Sequence, residues 1–248
     1  MTFSIISVCY NAQPDDITKT FESLYSQTGV EYEHIVIDGA SKPDTLNAIG
    51  KYRHRIAHFM SEPDAGLYDA MNKGLKLATN GMVHFLNIAD TFVDTTALTQ
   101  VADCATGSDI VYCNLYQPPR GVTVYPESMT PAWLYNEGIC QQALFARREL
   151  FNRIGDLSLD YKIVSDNDWI FRAIKSGARL TRLDRVLLEV PLDGFSSNEE
   201  LSKFERYRLK KTHFSPTQRF ALETASVIRR IKWRLTHRHF SLSRTTKH

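Results

Sequence analysis

The sequence predicts an α/β protein with a mainly parallel, mixed β-sheet and helices on both faces of the sheet. Four short apolar runs early in the chain have the length and content of buried strands. They are residues 3–8, 34–37, 56–60 and 82–86. Segments with apolar residues at helical spacing lie between them, and this alternation is typical of βαβ units with parallel strands.

Polar residues that follow these runs provide the second observation. They are Asn11, Asp38, Asp64 and Asp90. In open parallel sheets, ligands bind beyond the carboxyl ends of the strands, which share one edge. Four polar positions at this edge therefore predict a binding site there.

The first three helices are predicted from start signals and apolar faces. Pro14 and the two aspartates after it suit the first turn of a helix, where proline and acidic residues are favoured. The three faces consist of Ile17, Phe21 and Leu24; of Leu46, Ile49 and Tyr52; and of Leu67, Met71, Gly74, Leu75 and Ala78.

After residue 92 the regular alternation ends. Helices are predicted at residues 94–104 and 147–154, around Trp169, and at residues 199–212 and 216–238; strands are predicted at 110–113, 139–145 and 179–190. The sequence PPRG at 118–121 predicts a hairpin turn, and residues 193–198 predict a loop. The expected organisation is one α/β domain, residues 1–198, and a basic helical C-terminal extension, residues 199–248.

Composition and motifs argue against several classes of protein. The chain has 248 residues with ordinary hydrophobic and charged content, 43% and 23%, and no apolar run of about 18 residues that could span a membrane. Its N-terminus lacks signal-peptide features, so we expect a cytoplasmic protein. CxxC, HExxH, GxSxG, Walker A and GxGxxG motifs are absent, which disfavours zinc sites, hydrolases, P-loop NTPases and Rossmann dehydrogenases.

The stretch from Ser61 to Phe92 is the centre of the predicted site. It contains a loop that opens into a helix, and then an apolar strand that ends at Asp90. A helix N-terminus favours an anion, and a carboxylate can hold a divalent metal when phosphates supply other ligands. Asp90 is therefore expected to bind a metal, with capping of the next segment as the alternative.

Other carboxylates admit two interpretations each. Asp38 can accept a hydrogen bond from a base or ribose, or stabilise its own turn. Asp69 can accept a hydrogen bond from a sugar hydroxyl, with Lys73 as a charge partner within the site; alternatively, Asp64 caps the central helix and Asp69 pairs with Lys73 along it.

Asp166 and Asp168 form a second acidic point before the Trp169 helix. If the phosphate-bearing ligand of this site is a nucleotide sugar, a carboxylate near its reacting sugar carbon could remove the proton of the hydroxyl group that accepts the sugar. The alternative is that one of the two caps the helix.

Four segments resemble family 2 glycosyltransferases with the GT-A fold, and most closely the bacterial enzymes of exopolysaccharide and O-antigen assembly, including the colanic-acid type. The segments are SIISVCYN, HIVIDGASKPDT, SEPDAGLYDAMNKGLKLATNGMVHFLNIAD, and QQALFARRELFNRIG with LDYKIVSDNDW. Their order and spacing match the family over roughly residues 3–198.

The resemblance implies roles for individual residues. Ser7, Asn11 and Asp38 would hold the nucleoside. Asp64, Asp69, Asn72 and Lys73 would line the donor pocket. Asp90 would bind the metal and Asp166 would be the catalytic base, with Asp168 and Gln141 as possible supporting residues.

The implied reaction is an inverting transfer from a nucleotide sugar, with UDP-, GDP- and dTDP-sugars as candidate donors and Mg²⁺ or Mn²⁺ as cofactor. Two positions depart from the family pattern. Ala89 stands where many members have a second aspartate, and Gln141 replaces the usual histidine. They motivate an alternative, a non-catalytic binding subunit of a polysaccharide-assembly complex. A nucleotidyltransferase is disfavoured because no glycine-rich, lysine-bearing loop follows the first strand.

The C-terminal segment lies outside the firm resemblance. After Glu223 it has no acidic residue, but it has seven cations: Arg229, Arg230, Lys232, Arg234, Arg238, Arg244 and Lys247. Apolar residues interleave with these cations, a pattern typical of helices in a membrane interface. We therefore expect peripheral binding to anionic lipid at the inner face of the cytoplasmic membrane, with a polyprenyl-diphosphate-linked glycan as acceptor; the alternative is a helix packed on the domain. Nucleic-acid binding is not expected, because no recognised module accompanies the charge.

Overall fold

One mixed sheet organises the structure, a computed structural model that describes residues 1–192 and 199–238. The strands are β1 (Thr2–Cys9), β2 (Glu31–Asp38), β3 (His58–Ser61), β4 (Met82–Phe85), β5 (Thr91–Phe92), β6 (Ile110–Gln117), β7 (Gly121–Thr123), β8 (Leu144–Arg147) and β9 (Leu180–Glu189). Their order is β3-β2-β1-β4-β8-β6-β9-β5, with β7 paired to β6.

Helices cover this sheet and form the C-terminal extension. They are α1 (Pro14–Tyr25), α2 (Pro43–Gly50), α3 (Leu67–Leu77), α4 (Ala97–Cys104), α5 (Pro131–Asn136), α6 (Arg148–Ile154), α7 (Ser165–Lys175), α8 (Glu199–His213) and α9 (Pro216–Arg238).

Strands β3, β2, β1 and β4 are parallel, as the alternation of strands and helices predicts. The register places Asp38 beside Cys9 on one side and Ser61 on the other. The carboxyl ends of these strands therefore meet at one edge. Helix α3 packs closely against them, since a β-carbon at Gly74 would collide with the side chain of Ile6.

The second half of the sheet is mixed. Strand β8 runs antiparallel to both β4 and β6, whereas β9 is parallel to β6. The PPRG turn joins β6 to β7 as predicted. Gly155 caps the end of α6, and Gly177 follows the end of α7 with φ +78°, as expected for helix-terminating glycines.

The predicted strand at 139–145 is wrong for most of its length. Residues 141–143 form a 3₁₀ turn, and the strand begins only at Leu144. The Asn167 side chain explains the difference, because its amide accepts a hydrogen bond from Ile139 N and donates one to Ile139 O. The Asn167 side chain thus makes the backbone hydrogen bonds that a neighbouring strand would otherwise make with Ile139.

Two predicted helix starts also differ from the structure. Helix α3 has Gly66 as its N-cap, and Asp64 instead accepts a hydrogen bond from Gly66 N within the preceding turn. Helix α4 begins at Ala97 because Asp94 accepts hydrogen bonds from the backbone and hydroxyl of Thr96.

The extension packs on the α/β domain through α8 and α9. Leu209 and Phe214 are buried, and Tyr135 on α5 donates a hydrogen bond to Glu223 on α9 at 2.7 Å. None of the described helices is long and apolar enough to cross a membrane. The predicted loop at 193–198 and the cations Arg244 and Lys247 lie outside the described residues, so the boundary at residue 198 stays a prediction.

Candidate active site

A cleft of about 1310 Å³ opens at the carboxyl edge of the sheet. Residues that follow β1 and β4 line it, together with the first turns of α3 and α7. The extension closes another side with Arg206 and Arg229. Of the residues predicted from the sequence, the structure brings Asp90, Asp166 and Gln141 into this cleft.

Asp90 lies in a tight turn directly after β4. Its backbone N–H donates to Asn87 O, and Ala89 before it has φ +81°. Ala89 N donates to the hydroxyl of Thr20 at 2.9 Å, which holds the turn against α1. A positive φ at alanine costs conformational energy, so the surrounding contacts impose this turn.

The Asp90 carboxylate is 3% exposed, and burial raises its pKa to about 8. The Gln142 side chain opposes this shift by hydrogen bonding. Asp90 Oδ2 is buried and accepts no hydrogen bond from any described residue. Such a site disfavours a bare negative charge and would gain from a cation.

The turn also offers a second oxygen. Asn87 Nδ2 donates to Gln141 Oε1 at 3.4 Å, and Asn87 Oδ1 is left without a partner in the described part of the chain. Carboxylate and amide oxygens are the ligands that Mg²⁺ and Mn²⁺ prefer. Residues 1–192 and 199–238 contain no group of three or more His, Cys, Asp or Glu side chains placed to hold a metal. These two oxygens therefore fit a metal only if a ligand's phosphates complete its coordination.

Gln141 has a structural task at the position where the family pattern has histidine. Its Nε2 donates to Phe85 O at 2.9 Å, and its Oε1 receives the bond from Asn87. Gln141 thus orients Asn87 with its oxygen unpaired. The neighbouring Gln142, which the sequence reasoning passed over, also lines the cleft, and its side chain lowers the pKa of Asp90 against the effect of burial.

Asp166 lies in the first turn of α7, whose N-cap is Val164. Its Oδ1 accepts hydrogen bonds from Asn167 N and Asn167 Nδ2, at 2.8 and 3.0 Å. Tyr68 on α3 is 3.4 Å from the same oxygen and donates to Ile163 O at 2.7 Å. Oδ2 receives no hydrogen bond from the described residues, and the side chain is partly exposed to the cleft.

Burial raises the pKa of Asp166 above its usual value, although Asn167 and the charge of Arg206 oppose the shift. The two carboxylates also affect Cys140, which lies in the same cleft. Burial raises the pKa of the Cys140 thiol, and the charges of Asp166 and Asp90 raise it further. The cleft therefore brings both carboxylates close enough to Cys140 for their charges to affect its thiol.

Asn11, Asp38 and Asp64 form a second group next to the cleft. Asn11 Oδ1 accepts from Lys42 N, and Asp38 Oδ2 accepts from Ser41 N and from the Ser61 hydroxyl. Asp38 Oδ1 is buried without a partner among the described residues. A β-carbon at Gly39 would approach Asp64 Oδ2 to 2.6 Å and Tyr10 to 3.2 Å, so Gly39 keeps this corner open.

Backbone strain marks the same edge. Asn11, Ala40 and Ala89 have φ of +49°, +60° and +81°, and they follow β1, β2 and β4. They are the non-glycine residues of the described chain with positive φ. Strained residues of this kind cluster at ligand sites.

Four other predicted residues are held in contacts within the protein. Ser7 is fully buried, with its hydroxyl 3.1 Å from His34. Asn72 makes two hydrogen bonds with the backbone of Leu157. Lys73 pairs with Asp69 at 3.5 Å, and Asp69 accepts from Ala65 N, so this pair fixes the loop before α3.

Asp168 forms a buried ion-pair cluster and does not line the cleft. It contacts Arg172 and His213, each at 2.8 Å. Burial would raise its pKa, but hydrogen bonds from His213 and Arg172 outweigh burial and lower it. This carboxylate serves to join α7 to the end of α8.

Comparison with known proteins agrees with this architecture. Residues 4–176 match the model of the glycosyl transferase family 2. A "PGL/p-HBAD biosynthesis glycosyltransferase" of Mycobacterium bovis is 30% identical over 173 residues, which are 67% of this chain and 68% of that protein. The Escherichia coli enzyme named "UDP-Glc:alpha-D-GlcNAc-diphosphoundecaprenol beta-1,3-glucosyltransferase WfaP" is 35% identical over 99 residues, 40% of this chain and 39% of that protein.

The structure of Staphylococcus aureus TarS 1–349 in complex with UDP-GlcNAc shows the same fold. Its TM-score is 0.69 at 22% identity, and the match covers 86% of this chain and 65% of the TarS chain. The GT-A fold expected from the sequence is thus confirmed, and the chain belongs to glycosyltransferase family 2, a family of transferase enzymes.

Proposed function

We propose that this protein is an inverting glycosyltransferase that moves a sugar from a nucleoside-diphosphate sugar to a hydroxyl group of a glycan. The observation that supports it best is the pair of carboxylates in one cleft with different surroundings. Asp90 is buried beside a second unpartnered oxygen, which suits a diphosphate and its metal ion. Asp166 is open to the cleft and has a raised pKa, which suits a base.

In the proposed reaction the acceptor hydroxyl gives its proton to the Asp166 carboxylate while its oxygen bonds to the anomeric carbon. The bond from that carbon to the diphosphate oxygen breaks on the opposite face, and its electron pair leaves with the nucleoside diphosphate. A single displacement of this kind inverts the configuration of the carbon. Asp166 then releases its proton to solvent.

The donor would be held along the sheet edge. The unpartnered Asp38 Oδ1 would accept a hydrogen bond from the nucleoside, and Asn11 and Asp64 would shape the same corner. Asp90 Oδ2 and Asn87 Oδ1 would hold Mg²⁺ or Mn²⁺, which when bound would neutralise the charge of the departing diphosphate.

The remaining predicted residues would support the pocket from behind. Ser7 lies beneath the sheet edge, and Asn72 ties α3 to Leu157. The pair of Asp69 and Lys73 keeps the loop before α3 in place.

Donor binding and transfer can be tested separately. The purified chain is screened with UDP-, GDP- and dTDP-sugars and Mg²⁺ or Mn²⁺ for thermal stabilisation and for sugar transfer. Asp90→Ala is expected to lose both the metal-dependent stabilisation and transfer, whereas Asp166→Ala loses only transfer. Asp160→Ala, an exposed aspartate away from the cleft, is the control. Full turnover by Asp166→Ala would show that the base is another group.

For the acceptor, the proposal is a lipid-linked glycan used in bacterial surface polysaccharide synthesis at the inner face of the cytoplasmic membrane. The extension supports it with exposed apolar side chains on α8 and α9: Phe204, Tyr207, Phe220, Val227, Ile228 and Ile231. Residues 220, 227, 228 and 231 fall on one face of a helix. The same two helices carry Arg206 and Arg229 at the cleft, so the extension proposed to bind the membrane also borders the site. The name of the E. coli relative specifies a diphosphoundecaprenol acceptor.

Membrane contact is tested by sedimentation with lipid vesicles. Phe220→Glu places a charge at a side chain that is 73% exposed and is expected to weaken binding to vesicles that contain phosphatidylglycerol. Val122→Glu, at an exposed position on β7, is the matched control. Equal binding by the two variants would contradict the membrane part of the proposal and leave the transfer reaction standing. Trp233 and Leu235 also interleave with the basic residues of this segment in the sequence, and their side chains are outside the described part of the structure.

A further inference from the structure

Helix α8 lies beyond the family match, which ends at residue 176, yet it is bonded to the segment that carries Asp166. The contact is made by Glu205, a carboxylate that is only 3% exposed. Its oxygens accept hydrogen bonds from three successive backbone groups, Lys162 N at 2.7 Å, Ile163 N at 2.8 Å and Val164 N at 3.3 Å.

These backbone groups immediately precede the first turn of α7. Val164 is the N-cap of that helix, and its own side chain makes no capping hydrogen bond. N–H groups at a helix start need partners, and a carboxylate there is favoured by charge and by hydrogen bonding. Only Val164 N belongs to the helix start, and Lys162 N and Ile163 N lie before it, so Glu205 holds the backbone segment that leads into α7.

The same three-residue segment bonds Tyr68, one of the residues that contact Asp166. Ile163 O accepts the hydroxyl of Tyr68, which also approaches Asp166 Oδ1. Movement of the segment would shift both Tyr68 and the start of α7. Glu205 is therefore connected through this segment to the carboxylate that faces the cleft, although it does not line the cleft itself.

Three further contacts join the end of α8 to the α7 region. His213 is 2.8 Å from Asp168, its carbonyl accepts from Lys175, and Thr212 is 3.3 Å from the hydroxyl of Tyr161. Helix α8 thus contacts both ends of α7. Lys175 is bonded at the C-terminal end of α7, and Glu205 bonds the segment before its N-terminal end, where Asp166 lies.

We propose that Glu205 is a positioning residue of the transfer reaction, which holds Asp166 in the orientation required to take the acceptor's proton. This inference rests on the proposed role of Asp166 as the base. It also gives the extension a part in catalysis that is separate from any contact with a membrane.

The test compares Glu205→Gln with Glu200→Gln, which removes the same charge from an exposed position of α8. Glu205→Gln retains one acceptor oxygen and turns an N–H group toward the backbone donors. We expect kcat about 10²-fold lower, because small misplacements of a catalytic group have effects of this size. KM for the donor should stay within about twofold, since the donor groups lie on other elements. Hydrogen exchange of the amides at 162–164 should become faster, while Glu200→Gln changes neither quantity.

Each outcome has a defined meaning. Faster exchange at 162–164 with kcat unchanged would overturn the positioning role, and an inactive Asp166→Asn in the same assay would leave the proposed function intact. Turnover by Asp166→Asn would overturn both. A rise in KM with kcat unchanged would also overturn it, because that pattern indicates lost donor binding.

Should Glu205→Gln fail to fold, Glu205→Asp keeps the charge and both acceptor oxygens but withdraws them by about one bond length. A lower kcat at unchanged KM would support the proposal, and an unchanged kcat would overturn it. Fast exchange of the 162–164 amides in the unmodified protein would overturn it without any variant.

Discussion

Asp90 and Asp166 share a cleft, but different parts of the molecule hold them there. Asp90 is placed by a short turn, residues 87–90, which the hydroxyl of Thr20 holds against α1, and its Oδ2 has no partner among the described residues. Asp166 is bonded by its neighbour Asn167, and distant residues reach it as well, Tyr68 directly and Glu205 through the backbone of the preceding segment. The comparison shows that the carboxylate proposed to bind a metal depends mainly on one short turn, whereas the carboxylate proposed as the base also depends on contacts from distant elements.

The largest effect, a loss of activity, is expected at Asp166, the carboxylate that distant elements help to hold. Asp166→Asn keeps the shape but cannot accept the proton, so kcat should fall about 10²- to 10⁴-fold. Thermal stabilisation by the donor and metal should persist, because Asp90 is unchanged. Steady-state kinetics with Asp160→Asn as control provide the measurement. In the unmodified enzyme, kcat should rise with pH through the raised pKa of Asp166, since only the carboxylate form is a base.

The locally positioned carboxylate should instead affect stability. The folded-state pKa of Asp90 is about 8, above its value in the unfolded chain. The folded state therefore binds more protons between about pH 4 and pH 8, and metal-free protein loses stability as pH rises through this window. The side chain that Asp90→Asn introduces does not titrate. As the pH rises through this window, the free energy of unfolding of the variant should therefore increase relative to that of wild type by a few kcal/mol, at about 1.4 kcal/mol per pKa unit. Urea unfolding at several pH values with a chelator present measures it, and Asp103→Asn, exposed on α4, should show no such trend.

Metal binding should release a proton from Asp90. At pH 7 its carboxyl is mostly protonated, whereas a metal ligand must be ionised. Titration calorimetry of Mg²⁺ or Mn²⁺ with nucleoside diphosphate, in buffers of different ionisation enthalpy, should show roughly one proton released at pH 7. The released fraction should vanish about two pH units higher. If Asp90→Asn released the same number of protons on metal binding as wild type, the released proton would come from another group.

The smallest effect is expected from the turn itself. Ala89→Gly removes the cost of a positive φ and should raise stability by about 1 kcal/mol. Thermal unfolding detects such a change, and Ala40→Gly at φ +60° is the parallel case after β2. A loss of stability at both positions would show that the strain is smaller than the unfolded-state entropy of the added glycines.

The parallel half of the fold could be predicted because its signals are local. The apolar runs and the Pro14 start each depend on a few neighbouring residues, and the structure agrees with them. The strand expected at 139–145 failed because the Asn167 side chain, far along the chain, pairs with that backbone. Likewise, aspartate is a residue type that often caps helices, but the N-cap of α3 is Gly66 and not Asp64.

The site divides in the same way. Asp90 and Asp166 lie in the cleft as the motif pattern implied, but Gln142 and Tyr68 were passed over although they lie inside quoted segments. Gln141 and Gln142 both line the cleft, whereas of the next pair Tyr68 lines it and Asp69 bonds to Ala65 N in the loop before α3. Which of two adjacent polar residues faces a cleft depends on helix rotation and packing.

By itself, the sequence determined the α/β class, the polar edge and the family, because strand periodicity and motif spacing are properties of neighbouring residues. Only the tertiary structure decided how Asp166 is held, since Glu205 and His213 reach α7 from more than thirty positions away along the chain. Nothing in the charged helix from Glu199 to His213 distinguishes Glu205 from its exposed neighbours. The difference is burial, and burial exists only once the helix has packed against the domain.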